Sequence, residues 1–242
     1  MDKKELINSG KVKSVFTTDD DDKVIIEFRD DMTAGDGERK EVMNKKGSYN
    51  AVISSKIFKV LEENGVETQF IDLPEPNVML AKKLEMIPIE VIVRNIATGS
   101  LVRKYPIADG TRLEPPIVQM DFKADEYHDP MLNDSIIKAL GIATQDEIDT
   151  LTEKALKINE VLTKFFADAG IILVDYKVEF GKDKDGNILL GDEISPDSCR
   201  LWDSKTLDML DKELFRKGKD DEVMEAYVEV YNRIIPDDEK VI

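Results

Sequence analysis

The sequence predicts an α+β protein of two lobes with a cleft between them: a mainly β N-terminal lobe over residues 1–85 and an α/β lobe over residues 86–242. Short alternating apolar segments separated by turn residues fill most of the chain up to Asn95, interrupted by one helical stretch near residues 48–64. A long amphipathic pattern then runs from Thr144 to about Ala169 and passes directly into a second alternating segment. Between the two regions, Leu84-Glu85-Met86-Ile87-Pro88 links two strand patterns where a chain can cross between lobes. Exposed backbone groups at such a crossing can read the edge of a purine ring.

At 242 residues the chain is long enough to bury a substantial core. A formal charge of −17 argues against nucleic acid as the main partner and against an anionic membrane surface. Anionic metabolites can still bind where Lys and Arg gather locally, so clustered basic residues carry extra information here. Cys199 is the single cysteine, which excludes an intrachain disulfide and fits a reducing compartment. No apolar run approaches 18 residues, and MDKKELINSG lacks the apolar centre of a signal peptide. A cytoplasmic enzyme is the expectation.

Residues 10–28 read as a β-hairpin, GKVKSVFTT and KVIIEF around the acidic turn Asp19–Asp22. Gly10 opens the first strand. Lys11 and Lys13 alternate with Val12, which predicts both ammonium groups on one face. Such a pair can lie over a polyphosphate or can simply be a solvated strand face. Residues 29–47 read as a loop, with Gly35-Asp36-Gly37 giving mobile backbone around one carboxylate. Ser48 to Asn64 fits an amphipathic helix ended by Gly65. Strands follow in VETQFIDL, NVMLAKKL and IPIEVIVRN, with Lys82 on the second and Glu90, Ile92 and Arg94 on one face of the third. In RNIATGSLVR a strand ends near Asn95 and a short helix starts after Gly99. There Ser100 and Arg94 suit a phosphomonoester, or else form a plain N-cap with a surface Arg.

Residues 106–131 look irregular and proline-rich, and the only histidine, His128, sits beside Asp129 without any nucleophile motif. Asn133 to Leu140 is a short helix. Thr144-Gln-Asp-Glu147 matches a capping box for the long helix, whose Ile148, Leu151, Ala155, Ile158, Leu162 and Phe165 form its buried stripe. ISPDSCRLWD reads as a loop with Asp197 and Arg200 as chemical candidates. A helix capped by Asp203 or Ser204 then carries Lys205, Lys212, Arg216 and Lys217, and a final helix spans roughly Asp220–Ile235.

The segment from 171 to 203 carries the densest chemistry. Val174, Tyr176, Val178 and Phe180 alternate with Asp175, Lys177 and Glu179, and Asp185-Gly186 signals a two-residue type I′ turn. Centring the turn there sets Glu179 opposite Asp192 and Lys177 opposite Ile194. Facing carboxylates repel unless a cation sits between them, and Mg²⁺ takes one or two carboxylates together with nucleotide phosphates. The residues alone fit either such a seat or an acidic surface hairpin, and a one-residue slip would part the pair.

GKVKSVF, EFRDDMTAGDG, VIVRNIATGSLVRK, HDPM, AGIILVDYKVEFG and GDEISPDSCRLWD, in this order over nearly the whole chain, resemble the SAICAR synthetase family of purine biosynthesis. The resemblance implies the SAICAR-synthase fold, related to ATP-grasp, and an ATP-dependent ligase. In the family reaction the carboxylate of carboxyaminoimidazole ribonucleotide is activated by the γ-phosphate of ATP, and the amine of L-aspartate displaces the phosphate. It implies that Gly10, Lys11, Val12, Lys13 and Val15 lie over ATP, with adenine near Lys82–Met86 and Mg²⁺ on Glu179 and Asp192. Arg94, Ser100 and Arg200 would grip the ribonucleotide phosphate. Lys177 would face the substrate carboxylate, with Glu90 and Asp197 nearby. Asp36, Lys123, His128, Asp129, Lys212 and Arg216 fall to the aspartate or reacting region. Lys177, Lys13 and Asp36 are the catalytic candidates. The family commonly forms homodimers. Cys199 departs from the pattern, where a small residue such as Gly is expected. A small-molecule kinase, or a nucleotide-binding protein without turnover, would share the ATP features.

Overall fold

The computed structural model describes residues 2–35 and 38–242. Asp36, one of the catalytic candidates, lies outside the described residues. A five-stranded antiparallel sheet holds β1 (Leu6–Ser9), β2 (Lys13–Thr17), β3 (Lys23–Phe28), β6 (Phe70–Glu75) and β7 (Val78–Lys82) in the order β1-β2-β3-β7-β6. A small ladder, β4 (Asp31–Ala34) with β5 (Arg39–Val42), leaves this sheet. The second large sheet runs β10 (Met131–Leu132), β9 (Arg112–Phe122), β8 (Glu85–Ile96), β11 (Ile171–Lys182) and β12 (Ile188–Gly191), and β13 (Cys199–Asp203) pairs with the other end of β11. The mixed α/β architecture agrees with the fold class expected from sequence.

Helix α1 (Lys46–Glu63) packs on the first sheet, and α4 (Gln145–Asp168) packs on the second. The capping box at Thr144 and Glu147 is formed as expected, each side chain serving the other's backbone N–H. α4 buries Ile148, Leu151, Ala155, Ile158, Leu162 and Phe166, with Phe166 rather than Phe165 as the fully buried ring. Shorter helices are α2 (Ser100–Lys104), α3 (Asp134–Ala139), α5 (Glu213–Arg216) and α6 (Asp220–Ile234), and α6 lies beside α1. One contiguous apolar core runs through both sheets and helices α1, α3, α4, α5 and α6.

Several expectations are corrected. Residues 29–47 are not all loop, since β4 and β5 form there. Residues 106–131 contain the eleven-residue β9, whose prolines lie in the stretch between the Ile117–Arg94 and Arg112–Ile96 pairs where the ladder register shifts. A proline that withholds its N–H is tolerated at such an irregularity, which is why the segment does not read as a strand. ISPDSCRLWD supplies β13. The helix after it is only one turn, because Asp203 caps a turn through the N–H groups of Lys205 and Thr206 instead. Strand β2 begins at Lys13, and Gly10 to Val12 form a bend behind β1, so Lys11 and Lys13 do not share a strand face.

The hairpin register is also corrected. Glu179 pairs with Gly191 and Lys182 with Ile188, one residue off the expected ladder. The Asp183 carboxylate accepts the N–H groups of Asp185 and Asn187, while Gly186 at φ 84° donates to the Asp183 carbonyl. That Asx-stabilised loop is one residue longer than a type I′ turn and shifts every pair by one. Asp192 stands just beyond the strand with φ 56°.

Candidate active site

β11 is the central element of the site. Its apolar face, with Val174, Tyr176, Val178 and Phe180, is buried, and the Tyr176 hydroxyl donates to the Ala155 carbonyl of α4 at 2.6 Å. Its other face carries Asp175, Lys177 and Glu179, and their backbones pair with Arg94, Ile92 and Glu90 of β8. Glu90 pairs in turn with Asp121 of β9, so the acidic row Glu179–Glu90–Asp121 crosses three strands. The ladder partner that repels Glu179 is therefore Glu90, and Lys177 answers it, donating to Glu90 at 2.8 Å and Glu179 at 2.7 Å. Burial lowers the proton affinity of Lys177, but Glu179, Asp192 and Glu90 more than offset that, so its pKa is raised and it stays charged. Burial raises the pKa of Glu90, with Lys177 opposing.

Two cavities meet at this strand. The smaller, about 250 Å³, is lined by the apolar Val15, Val24, Ile26, Leu84 and Met86 and by Lys13, Lys82, Lys123, Glu179 and Asp192. Lys13 donates to Asp192 at 2.5 Å and to Glu193 at 2.9 Å, and Lys123 pairs with Glu179. Burial disfavours the Asp192 carboxylate, yet Lys13 and Lys177 outweigh it and its pKa is lowered. Gly181 lets the linking segment approach: a Cβ there would lie 2.8 Å from Leu84 Cβ and 3.0 Å from Met86 Sδ. Among the described residues no group of three or more acidic, His or Cys side chains is placed to hold a metal. Glu179 and Asp192 line one cavity as two hard oxygen donors already matched to cations, and that set fits Mg²⁺ carried in with nucleotide phosphates.

The larger cavity, about 460 Å³, is lined by Lys11, Glu90, Arg94, Ser100, Asp121, Asp175, Lys177, Asp197, Arg200, Lys212 and Arg216, with Thr33, Ala34 and Gly35 of the β4 segment. Asp175 accepts from Arg94 at 3.0 Å and from Arg200 at 2.7 Å through one oxygen. Arg94 also bonds Ser100 at 3.1 Å, and Arg200 bonds Glu213 at 3.3 Å. Lys11 reaches this cavity rather than the smaller one and pairs with Asp125 at 2.8 Å. Burial lowers the pKa of Lys212, with Asp197 opposing.

The sequence candidates divide accordingly. Lys13, Val15, Lys82, Met86, Lys123, Glu179 and Asp192 gather at the smaller cavity, and Lys177, Glu90, Arg94, Ser100, Asp197, Arg200, Lys212 and Arg216 at the larger. Gly10, Val12, His128 and Asp129 line neither. Gly10 and Val12 fix the bend instead, their carbonyls accepting from Arg29. Asp129 accepts from the Ala124 N–H at 2.8 Å, and His128 is exposed with φ 56°. Cys199 is buried in β13 opposite Tyr176, burial pushing its thiol pKa up, and Arg200 keeps its pairing with Asp175. Asp175, Asp121 and Thr33 to Gly35 were not site candidates. Asp175 had a readable signal: it alternates in phase with Lys177 and Glu179.

Two predictions concern how this cavity is held. Gly99 has φ 60°, and a Cβ there would lie 2.4 Å from Arg200 Nη2. Gly99→Ala is therefore expected to raise the KM of whichever substrate Arg200 binds by about tenfold, near 1.4 kcal/mol, while binding in the smaller cavity, which Arg200 does not line, stays unchanged in steady-state kinetics. Asp211 is fully buried and accepts from the N–H groups of Leu201 and Glu213, joining β13 to α5. Burial pushes its pKa up to about 7. A carboxyl with a raised folded-state pKa adds stability below its unfolded pKa, and that contribution is lost as pH rises through the folded value. The melting-temperature advantage of wild type over Asp211→Asn is expected to shrink between about pH 4 and pH 7 and then level off.

The family model described as SAICAR synthetase matches residues 6–234. The chain is 86% identical to the phosphoribosylaminoimidazole-succinocarboxamide synthase of Methanobrevibacter smithii, covering 100% of this chain and 99% of that protein. The chain belongs to the SAICAR synthetase family. A synthase of the same name from Methanocaldococcus jannaschii is 59% identical, over 90% of each chain. Among solved SAICAR synthetases, a Type-2 form in complex with ADP superposes with a TM-score of 0.93 at 50% identity, covering 98% of this chain and 100% of that one. The Type-1 form from Pyrococcus horikoshii OT3 gives 0.87 at 50% identity, over 92% and 96%.

Proposed function

We propose that the two cavities form one active site that ligates L-aspartate to carboxyaminoimidazole ribonucleotide at the expense of ATP. As a SAICAR synthetase the chain is an ATP-dependent ligase of purine biosynthesis. The observation that carries the assignment of sites is the pair Lys177–Glu179 on β11: Lys177 lines the larger cavity, Glu179 lines the smaller, and a 2.7 Å hydrogen bond joins them.

In this reading residues 1–85 form the nucleotide lobe and residues 86–242 the substrate lobe, with adenine in the slot of Val15, Val24, Ile26 and Met86. Lys13 and Lys123 lie at the phosphates. Glu179 and Asp192 hold Mg²⁺, which supplies charge neutralisation for phosphoryl transfer. Arg200, Arg94 and Ser100 take the ribonucleotide phosphate as charge-assisted donors. Lys177, kept charged by its two carboxylates, holds the substrate carboxylate toward the γ-phosphate. Lys212, which makes no side-chain hydrogen bond among the described residues, and Arg216 are the cations placed for an aspartate carboxylate. No protein nucleophile is required.

The test incubates the protein with ATP, Mg²⁺, carboxyaminoimidazole ribonucleotide and L-aspartate and resolves the products. ADP, phosphate and the succinocarboxamide are expected in equal amounts. Accumulation of a phosphorylated ribonucleotide with no requirement for aspartate would replace the ligase reading with a kinase.

A further inference from the structure

We propose that Lys46 is a positioning residue that pins two walls of the larger cavity together from behind, and so sets its fit to the ribonucleotide. The inference rests on reading that cavity as the ribonucleotide site. Lys46 opens α1, where the helix dipole disfavours a cation, so a tertiary partner must stabilise it. Its side chain is 1% exposed and does not line the cavity. The ammonium donates to the Asp31 carbonyl at 2.7 Å and to Asp197 Oδ2 at 2.7 Å.

These two acceptors belong to different walls. Asp31 begins β4, which leads into Thr33, Ala34 and Gly35, all cavity-lining. Asp197 lines the cavity from the segment before β13, together with Ser198. The other Asp197 oxygen accepts from the Tyr227 hydroxyl of α6 at 2.5 Å, and its backbone N–H donates to Ser195 Oγ at 3.1 Å. Asp197 is thus fixed from behind, leaving the remaining lone pairs of its carboxylate for substrate donors. Without the Lys46 ammonium, a buried carboxylate loses its counter-charge and β4 loses its tie to the Asp197 segment. The smaller cavity contains neither Asp31 nor Asp197, so nucleotide binding does not depend on the pin.

The experiment compares full-length wild type, Lys46→Met and Tyr227→Phe. ADP affinity is read by calorimetry, and kcat and KM are read for ribonucleotide, aspartate and ATP. ADP affinity is expected to stay within about threefold, while ribonucleotide kcat/KM falls about 100-fold in Lys46→Met, the loss that a small misplacement of binding groups produces. Tyr227→Phe is expected to show the same split at about tenfold, as for one hydrogen bond to a charged group. An unchanged ribonucleotide kcat/KM, or equal losses for ADP and ribonucleotide, overturns the pin. If Lys46→Met does not fold, Tyr227→Phe decides alone by the same readings. Wild-type protein that forms no ADP in response to ribonucleotide overturns the ligase reading itself.

Discussion

Glu179→Gln is expected to lower kcat by about 10²–10³-fold at saturating Mg²⁺ and ATP, the scale of losing one preorganised charge at a phosphoryl-transfer centre. Glu179 is 1% exposed and takes Lys177 on one oxygen and Lys123 on the other. The amide keeps the size of the side chain but can accept on only one side, and it brings no charge for the metal. Lys177 retains Glu90, so the fold is expected to survive and the defect to be catalytic. Asp192→Asn should act differently, because its charge faces Lys13: the KM for Mg-ATP rises as well as kcat falling. A titration of Mg²⁺ against rate for the two variants measures both effects. Full activity of either variant at saturating Mg²⁺ would remove these carboxylates from the metal site.

Arg94→Ala is expected to raise the ribonucleotide KM by about 10–100-fold with little change in the ATP KM, in keeping with charge-assisted hydrogen bonds worth about 1.5–3 kcal/mol. Arg94 is buried, and its guanidinium is shared among Asp175, Ser100 and Gln119. Removing it also leaves Asp175 with Arg200 as its single cation, so a stability loss of up to about 3 kcal/mol should accompany the kinetic change. Steady-state kinetics and thermal melting on one preparation separate the two losses. A rise confined to the ATP KM would take the phosphate grip away from this corner of the cavity.

Much of this site was readable because β11 announces itself. Alternation in VDYKVEF puts Asp175, Lys177 and Glu179 on one face whatever the tertiary structure does, since the period of a strand is two. The partner across the hairpin was not readable. Asp185-Gly186 favours a two-residue turn, but the Asp183 side chain holds a loop one residue longer, and Gly191 faces Glu179 in place of Asp192. Asp192 still reaches the smaller cavity because the chain turns there through a left-handed residue that no pairing rule anticipates. Lys11 shows the same limit, since its side chain belongs to the larger cavity only because the strand starts at Lys13, three residues after the expected start at Gly10.

By itself the sequence determined the helices with caps and periodicity, the strands with clean alternation, and the family, whose motifs lie in order along the chain. These are local properties, set by backbone preferences and side-chain period over a few residues. Only the tertiary structure decided which charges are neutralised and by what. Lys177 is matched by Glu90 of β8, Asp175 by two arginines from different strands, and Asp197 by Lys46 from a helix that begins about 150 residues earlier in the chain. Each pairing depends on burial, because a charge removed from water must find its partner wherever the fold supplies one. Such partners need not be near in sequence, so the site's electrostatics became legible only once the sheets were assembled.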